Sequence, residues 1–238
     1  MLRSDTMNHI FLEQLSRRQE KIPQGFVTIY PVKEYNTDMS IVIFLDKHNK
    51  LEATADRYAY DRQNKEMVLY EKLFNLKDKF IIGFASECMS ENDVEHYRLL
   101  SESVAKSFDS INEFVEALRM SVFREDTQYF RRPDCILIGG YDTTPRIIKL
   151  TRENHYDKLS EITNGYAFIG WIEGLEKKYK EIKVYSKDIA LDLIQDRCNK
   201  RPDLFKGIPR RFIVDKNGVQ EEELTQEMTP NKQSHQQL

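Results

Sequence analysis

The chain is poor in the residues that form disulfides and metal sites. Among its 238 residues there are only three cysteines, Cys88, Cys135 and Cys198, and they are widely separated. They form no CxxC pair and no zinc knuckle, so we expect reduced thiols of the kind found in cytoplasmic proteins. The five histidines are scattered without metal-ligand spacing. We therefore predict neither a metal site nor a cofactor.

Long hydrophobic runs and an excess of one charge are also missing. The longest apolar stretches, such as 41–45, are far shorter than the roughly 20 residues that span a bilayer. The 36 Lys and Arg residues are interspersed with 39 Asp and Glu residues, and this balance does not favour a nucleic-acid partner. The first residues have no apolar core followed by a small-residue cleavage site, so we expect no secretory signal. These observations predict a cytoplasmic protein without membrane or nucleic-acid partners.

What the chain does contain is a globular composition, with 40% apolar and 32% charged residues, and alternating strand and helix patterns. The polar stretch 46–50 is predicted to be a hairpin turn, and residues 216–238 a disordered polar tail. The order of elements predicts an α+β fold in which sheets stack and helices cover their outer faces. Predicted strands are 26–30, 40–45, 51–57, 80–85, 135–141, 146–150, 166–169 and 211–214, and predicted helices are 8–21, 90–108, 110–122, 171–180 and 187–199.

A hydroxyl, a carboxylate and a lysine recur in even steps of sixteen residues. Ser40 begins one predicted strand, Asp56 ends the next, and Lys72 follows a little further along. A serine hydroxyl is a weak nucleophile until a nearby base takes its proton. A lysine ammonium close to the hydroxyl lowers its pKa, and a carboxylate can hold that lysine in place. We expect these three residues to converge on one site.

These residues and their flanking segments resemble the proteasome β-subunit family of N-terminal nucleophile hydrolases. The resemblance covers residues 40–215 and implies a four-layer αββα sandwich. The flanking segments that carry it are Ala53 to Asp56, similar to the family's Ala-Ala-Asp; Lys72 to Phe74, similar to Lys-Ile-Phe; Phe80 to Ala85; and Ile138 to Asp142, similar to Gly-Gly-Val-Asp.

The resemblance also implies a mechanism. In this family the nucleophile becomes the first residue of the mature chain, and its own α-amine acts as the general base. Residues 1–39 would then be a propeptide or an N-terminal extension with a short helix, and Ser40 the nucleophile. Removal of Met39 after translation from that position would expose Ser40 as well. Lys72 would tune Ser40, Asp56 would hold Lys72, and the Ser86 N–H would receive the oxyanion.

Several positions depart from the family pattern. Ser86 stands where the family has the oxyanion-hole glycine, and Tyr58 takes the place of an arginine. Trp171 occupies the slot of a serine that supports the nucleophile, and we expect it to be a core or interface anchor instead. No Asp-x-x-Ser pair follows Trp171, where the family has one. Gly139 and Gly140 are interpreted as a strand-end turn rather than a phosphate cradle, because no lysine or helix start follows them.

Three functions are compatible with these residues. The preferred one is a proteasome-like peptidase in protein catabolism, acting on polypeptides and assembled with copies of itself or related subunits in a ring, with an unfoldase ATPase as a further partner. The first alternative is an uncleaved, non-catalytic structural subunit, in which Asp56 and Lys72 form only an ion pair. The second is an amidohydrolase of the same fold that acts on non-peptide substrates.

Overall fold

The structure, a computed structural model, describes residues 35–36, 41–61, 66–86, 89–124, 131–152, 156 and 160–230. The helices within these ranges are α1 (Glu91–Ala105), α2 (Ile111–Arg124), α3 (Leu175–Ile182) and α4 (Ile189–Lys200). The strands are β1 (Tyr35–Asn36), β2 (Ile41–Asp46), β3 (Leu51–Ala55), β4 (Tyr58–Asp61), β5 (Glu66–Leu69), β6 (Leu73–Leu76), β7 (Phe80–Ala85), β8 (Cys135–Tyr141), β9 (Pro145–Thr151), β10 (Ser160–Glu161), β11 (Tyr166–Gly170), β12 (Arg210–Asp215) and β13 (Gly218–Glu222). The α+β prediction is confirmed.

Two five-stranded antiparallel sheets form the body of the described fold. Sheet 1 has the strand order β10-β9-β8-β7-β6, and sheet 2 has the order β11-β2-β3-β12-β13. A separate small sheet has the order β1-β4-β5. The hairpin predicted at 46–50 is confirmed, because it joins β2 to β3 with Asp46 opposite Leu51. No helix among the described residues is long and apolar enough to cross a membrane.

The central strands are buried on both faces, which explains their continuous apolar runs. Along β2, Val42 and Phe44 lie in a hydrophobic cluster shared by the two sheets. The alternate residues Ile41 and Ile43 lie in a second cluster with α3 and α4. Strand β7 behaves in the same way, because Ile81 faces sheet 2 while its neighbours pack with α1 and α2 in a third cluster. Successive strand side chains point to opposite faces, so each central strand supports two core layers.

The two glycines of β8 allow close packing on both faces of sheet 1. A Cβ on Gly139 would lie 2.2 Å from Leu51 Cδ2 in sheet 2, and a Cβ on Gly140 would lie 2.9 Å from Ile111 Cδ1 in α2. Both residues pair with neighbouring strands inside the β8 ladder. The interpretation as a strand-end turn is therefore wrong. The turn follows at residues 142–144, and the glycines serve packing instead.

The prediction of a disordered tail is wrong for its first part. Strand β13 pairs along its length with β12, and Met228 is buried and forms a β-bridge with Gly207. Only Val219 of β13 is buried, because the strand lies at the edge of sheet 2 and its polar side chains remain in water. An edge strand of this kind has no apolar alternation, so its pairing is invisible in the sequence.

Most of the other predicted elements are present in the structure. The strands at 40–45, 51–57, 80–85, 135–141, 146–150, 166–169 and 211–214 and the last four helices match observed elements, with shifts of a few residues at their ends. The short strands β4 and β5 have no predicted counterpart, because each has only four residues. The predicted helix 8–21 and strand 26–30 lie outside the described residues, as do Met39, Ser40 and Cys88.

Candidate active site

A buried ion pair joins the ends of two strands that are distant in sequence. Asp56 directly follows β3, and Lys72 directly precedes β6. The Lys72 Nζ lies 2.5 Å from Asp56 Oδ2 and also donates to the Tyr58 carbonyl oxygen at 2.5 Å. Only 2% of Lys72 and 3% of Asp56 is exposed. The structure therefore brings together two of the four residues predicted from the sequence, in the arrangement expected for a carboxylate that holds a lysine.

The same carboxylate also holds the start of β2. Asp56 Oδ1 accepts a hydrogen bond from the Ile41 N–H at 2.7 Å, and the Asp56 N–H donates to the Ile41 carbonyl at 3.3 Å. Ile41 directly follows Ser40, which lies outside the described residues. Asp56 thus connects the ammonium of Lys72 to the backbone next to the predicted nucleophile.

Burial changes the acid–base character of Lys72. Loss of solvation lowers the pKa of the Lys72 ammonium below its ordinary value of 10.5, and the attraction of Asp56 offsets only part of that effect. A lysine with a lowered pKa releases its proton more readily near neutral pH, and while charged it stabilises a developing negative charge nearby. Both properties suit a group that tunes a nucleophile.

Ser86 and Lys72 line the same narrow cavity, which is too small to hold a water molecule. The cavity is bounded by Tyr70, Lys72, Phe84, Ser86, Met89 and Val94. Lys72 directly precedes β6 and Ser86 directly follows β7. A hydrogen bond from the Phe84 N–H in β7 to the Lys72 carbonyl oxygen, at 3.1 Å, holds these two chain segments together. Three of the four predicted site residues are therefore neighbours: Lys72 pairs with Asp56, and it lines the same cavity as Ser86.

Ser86 makes a contact that the sequence did not predict. Its Oγ donates to Asp134 Oδ2 at 2.6 Å, and Arg152 in turn binds the Asp134 Oδ1 at 3.3 Å. Asp134 is separated from Ser86 by 48 residues and belongs to no recognisable motif. Only the pairing of β7 with β8 brings the two residues together, so no pattern in the sequence signals this contact.

A larger groove adjoins the cavity and shares Tyr70 and Val94 with it. It has a volume of about 490 Å³. Its other lining residues are Leu69, Glu71, Phe74, Glu91, Asn92, Glu95 and Arg98. Four of its nine lining residues are charged, namely Glu71, Glu91, Glu95 and Arg98, so the groove has both polar and apolar walls. Within the described ranges, no group of three or more His, Cys, Asp or Glu side chains could hold a metal ion.

Trp171 packs against the core on the helical side of sheet 2. Its ring lies 5.9 Å from that of Phe205, and the Arg197 guanidinium carbon lies 4.6 Å from the centre of the indole ring. Such a stack of a cation on an aromatic ring is favourable, particularly when it is shielded from water. The prediction of a core anchor is confirmed by these contacts.

No protein-family model matches the chain, and no curated protein matches it. Function is therefore inferred from the geometry and from the resemblance in sequence.

Proposed function

We propose that the protein is an N-terminal nucleophile hydrolase of the proteasome-like class that cleaves peptide bonds with Ser40. The observation that carries this proposal is the position of the Asp56 carboxylate. One of its oxygens holds the buried Lys72 ammonium, and the other holds the N–H of Ile41, the residue after Ser40. An ion pair with a purely structural role does not need to reach the backbone beside a serine. This contact joins the lysine to the residue that follows the proposed nucleophile.

The proposed reaction is acyl transfer in two stages. The free α-amine of Ser40 takes the proton from its own Oγ, and the Oγ attacks the carbonyl carbon of the substrate. The carbonyl oxygen becomes an oxyanion that accepts a hydrogen bond from the Ser86 N–H, while the Lys72 ammonium favours the charged form of Oγ. The C–N bond then breaks, the leaving amine takes the proton from the α-ammonium, and an ester remains on Oγ. Water, deprotonated by the same amine, hydrolyses the ester and restores Ser40.

The arrangement of core layers supports a four-layer αββα architecture for this proposal. One hydrophobic cluster contains residues of both sheets, a second joins sheet 1 to α1 and α2, and a third joins sheet 2 to α3 and α4. This is the order helices, sheet, sheet, helices that the sequence resemblance implies. The groove next to Lys72 supports a polypeptide substrate. A ring of identical or related subunits in the cytoplasm, served by an unfoldase ATPase, belongs to the same proposal.

The uncleaved, non-catalytic subunit is the second candidate, and Trp171 favours it. Where the family has a supporting serine, the indole packs against Phe205 and Arg197 and offers no hydroxyl to the nucleophile. In this second candidate the pair between Asp56 and Lys72 only joins strand ends. The two candidates differ in one chemical requirement, because catalysis needs a free α-amine on Ser40 and a structural subunit does not.

The deciding experiment uses the purified full-length chain. Intact-mass measurement and N-terminal sequencing would reveal whether a species beginning at Ser40 forms, and peptide hydrolysis would be assayed on the same sample. We expect cleavage before Ser40 and turnover that Ser40→Ala abolishes. Ser103→Ala, an exposed change on α1, is the matched control and should leave turnover unchanged. A stable product that keeps residues 1–39 and hydrolyses nothing would refute the peptidase and leave the structural subunit.

A further inference from the structure

Three adjacent strand ends meet beside Ser86. Strand β7 ends one residue before Ser86, β8 begins one residue after Asp134, and β9 ends one residue before Arg152. The register places these ends side by side, because Ala85 is opposite Cys135 and Cys135 is opposite Thr151. Ser86, Asp134 and Arg152 therefore lie side by side at one end of three neighbouring strands of sheet 1.

Hydrogen bonds join these three residues into a clamp on Ser86. The Ser86 Oγ donates to Asp134 Oδ2 at 2.6 Å, and Ser86 is only 5% exposed. Arg152 holds Asp134 twice, through its guanidinium to Oδ1 at 3.3 Å and through its backbone N–H to the Asp134 carbonyl at 2.9 Å. A hydrogen bond to a carboxylate is stronger than one between neutral groups. The Ser86 end of the clamp is buried, whereas the side chains of Asp134 and Arg152 are 38% and 49% exposed.

We infer that Asp134 is a positioning residue that fixes the Ser86 N–H for the oxyanion, an inference that rests on the proposed function. Ser86 directly follows the last residue of β7 and lines the same cavity as Lys72. An oxyanion donor is effective only when it is held in place before the reaction. The side chain of Ser86 supplies that restraint through Asp134, and Arg152 anchors Asp134 to the end of β9. Asp134 itself is bonded to Ser86 and acts on the substrate only through it.

The test compares variants that break the clamp with one that keeps it. Ser86→Ala and Asp134→Ala remove the hydrogen bond, whereas the amide oxygen of Asp134→Asn still accepts it. We expect kcat for peptide hydrolysis to fall about tenfold to a hundredfold in both alanine variants, with KM within about threefold of wild type. Asp134→Asn should stay within about threefold of wild type in kcat. The double alanine variant should be no slower than either single one, because both remove the same contact.

A matched control removes a similar bond far from the site. Ser186 Oγ donates to Asp192 Oδ2 at 2.7 Å near the start of α4, so Ser186→Ala deletes the same chemistry without touching the cavity. It should leave kcat unchanged. Thermal melting of every variant would separate a loss of fold from a loss of positioning. If Asp134→Ala fails to fold, the comparison of Ser86→Ala with Asp134→Asn still decides the question.

A binding measurement distinguishes failure of this inference from failure of the proposed function. A peptide boronate forms a tetrahedral adduct on a serine Oγ and so requires the oxyanion donor, whereas the corresponding peptide amide does not. We expect Asp134→Ala to weaken boronate binding about tenfold or more while amide binding is unchanged. An active wild type whose kcat and boronate affinity survive in both alanine variants would refute the positioning role alone. A wild type that neither turns over peptide nor binds the boronate would refute the proposed function and the inference with it.

Discussion

Replacing Asp56 with asparagine removes the negative partner of a buried lysine while keeping the size of the side chain. The amide oxygen can still accept the hydrogen bond that Asp56 Oδ1 receives from the Ile41 N–H. The amide nitrogen would then face the Lys72 ammonium, so two donors would meet where a donor now meets a carboxylate oxygen at 2.5 Å. The variant therefore tests the ion pair itself rather than the volume it fills.

The expected cost follows from burial. Removing one partner of a buried pair typically costs about 3–5 kcal/mol, because the remaining charge is left without compensation. Lys72 keeps its hydrogen bond to the Tyr58 carbonyl, which places the expected loss in the free energy of unfolding near the lower end, at about 3 kcal/mol. For a domain of this size each kcal/mol corresponds to about 2–4 °C, so Tm should fall by about 6–12 °C.

The stability lost in Asp56→Asn should also depend on pH, and the titration of Lys72 determines whether this loss grows or shrinks as the pH rises. Its pKa in the folded protein is below the ordinary value of 10.5, so between these two values the unfolded chain binds more protons and stability rises with pH. Removing the Asp56 carboxylate lowers the folded pKa further, because its attraction no longer opposes desolvation. The difference in stability between wild type and Asp56→Asn should therefore be largest below the folded pKa of Lys72 in the variant, and it should shrink as the pH rises through the folded pKa of Lys72 in the wild type, below 10.5.

Urea denaturation and thermal melting across this pH range would measure the effect. The companion variant Lys72→Met leaves Asp56 without its ammonium, and the double variant should lose less than the sum of the two single losses. Glu176→Gln removes the charge of an exposed i,i+4 partner of Lys180 and is the control, and we expect it to leave stability almost unchanged. If Asp56→Asn costs no more than this surface change, or if its cost is the same at every pH, the reasoning about the buried pair is wrong.

Two further predictions concern packing and capping. Gly139→Ala should destabilise the protein by about 1–3 kcal/mol in urea denaturation, because the new Cβ would meet Leu51 in the opposite sheet, and a cost near zero would contradict the proposed close approach. Asp188 caps α4 and pairs with Arg211; burial opposes its ionisation, but these contacts lower its pKa below the ordinary value of 3.8. Its stabilising contribution is therefore present above pH 3.8 and lost as the pH falls through the folded pKa. Asp188→Asn should accordingly be less stable than wild type at neutral pH and approach it in acid, and a difference that persists in acid melts would contradict this.

Much of the local structure could be predicted from the sequence, because short-range physics determines it. The apolar run at 41–45 predicted β2, and the polar stretch after it predicted the hairpin that joins β2 to β3. Ser90 directly precedes the first helix after the strand cluster, and its side chain accepts the hydrogen bond of the Asp93 N–H. Each of these features depends on residues within a few positions of one another, so periodicity and capping chemistry are sufficient to find them.

The predicted site lies between the features that local sequence determines and those that only the tertiary structure determines. Asp56 and Lys72 were selected from their positions at strand ends, and the structure places them in contact. Their choice depended on the resemblance as well as the spacing, because the distance between two residues in sequence does not by itself determine their distance in space. The position of Ser40 remains a prediction, supported by the hydrogen bond between Asp56 and the neighbouring Ile41.

The sequence by itself determined the helices and the longer apolar strands, and which of their residues are apolar enough to be buried. Only the tertiary structure decided which strands are neighbours, and therefore that Ser86 meets Asp134, that Gly139 faces Leu51 and that β13 belongs to sheet 2. These contacts join residues that are far apart along the chain. Their formation depends on the register of several strands at once, a collective property that no short stretch of sequence contains.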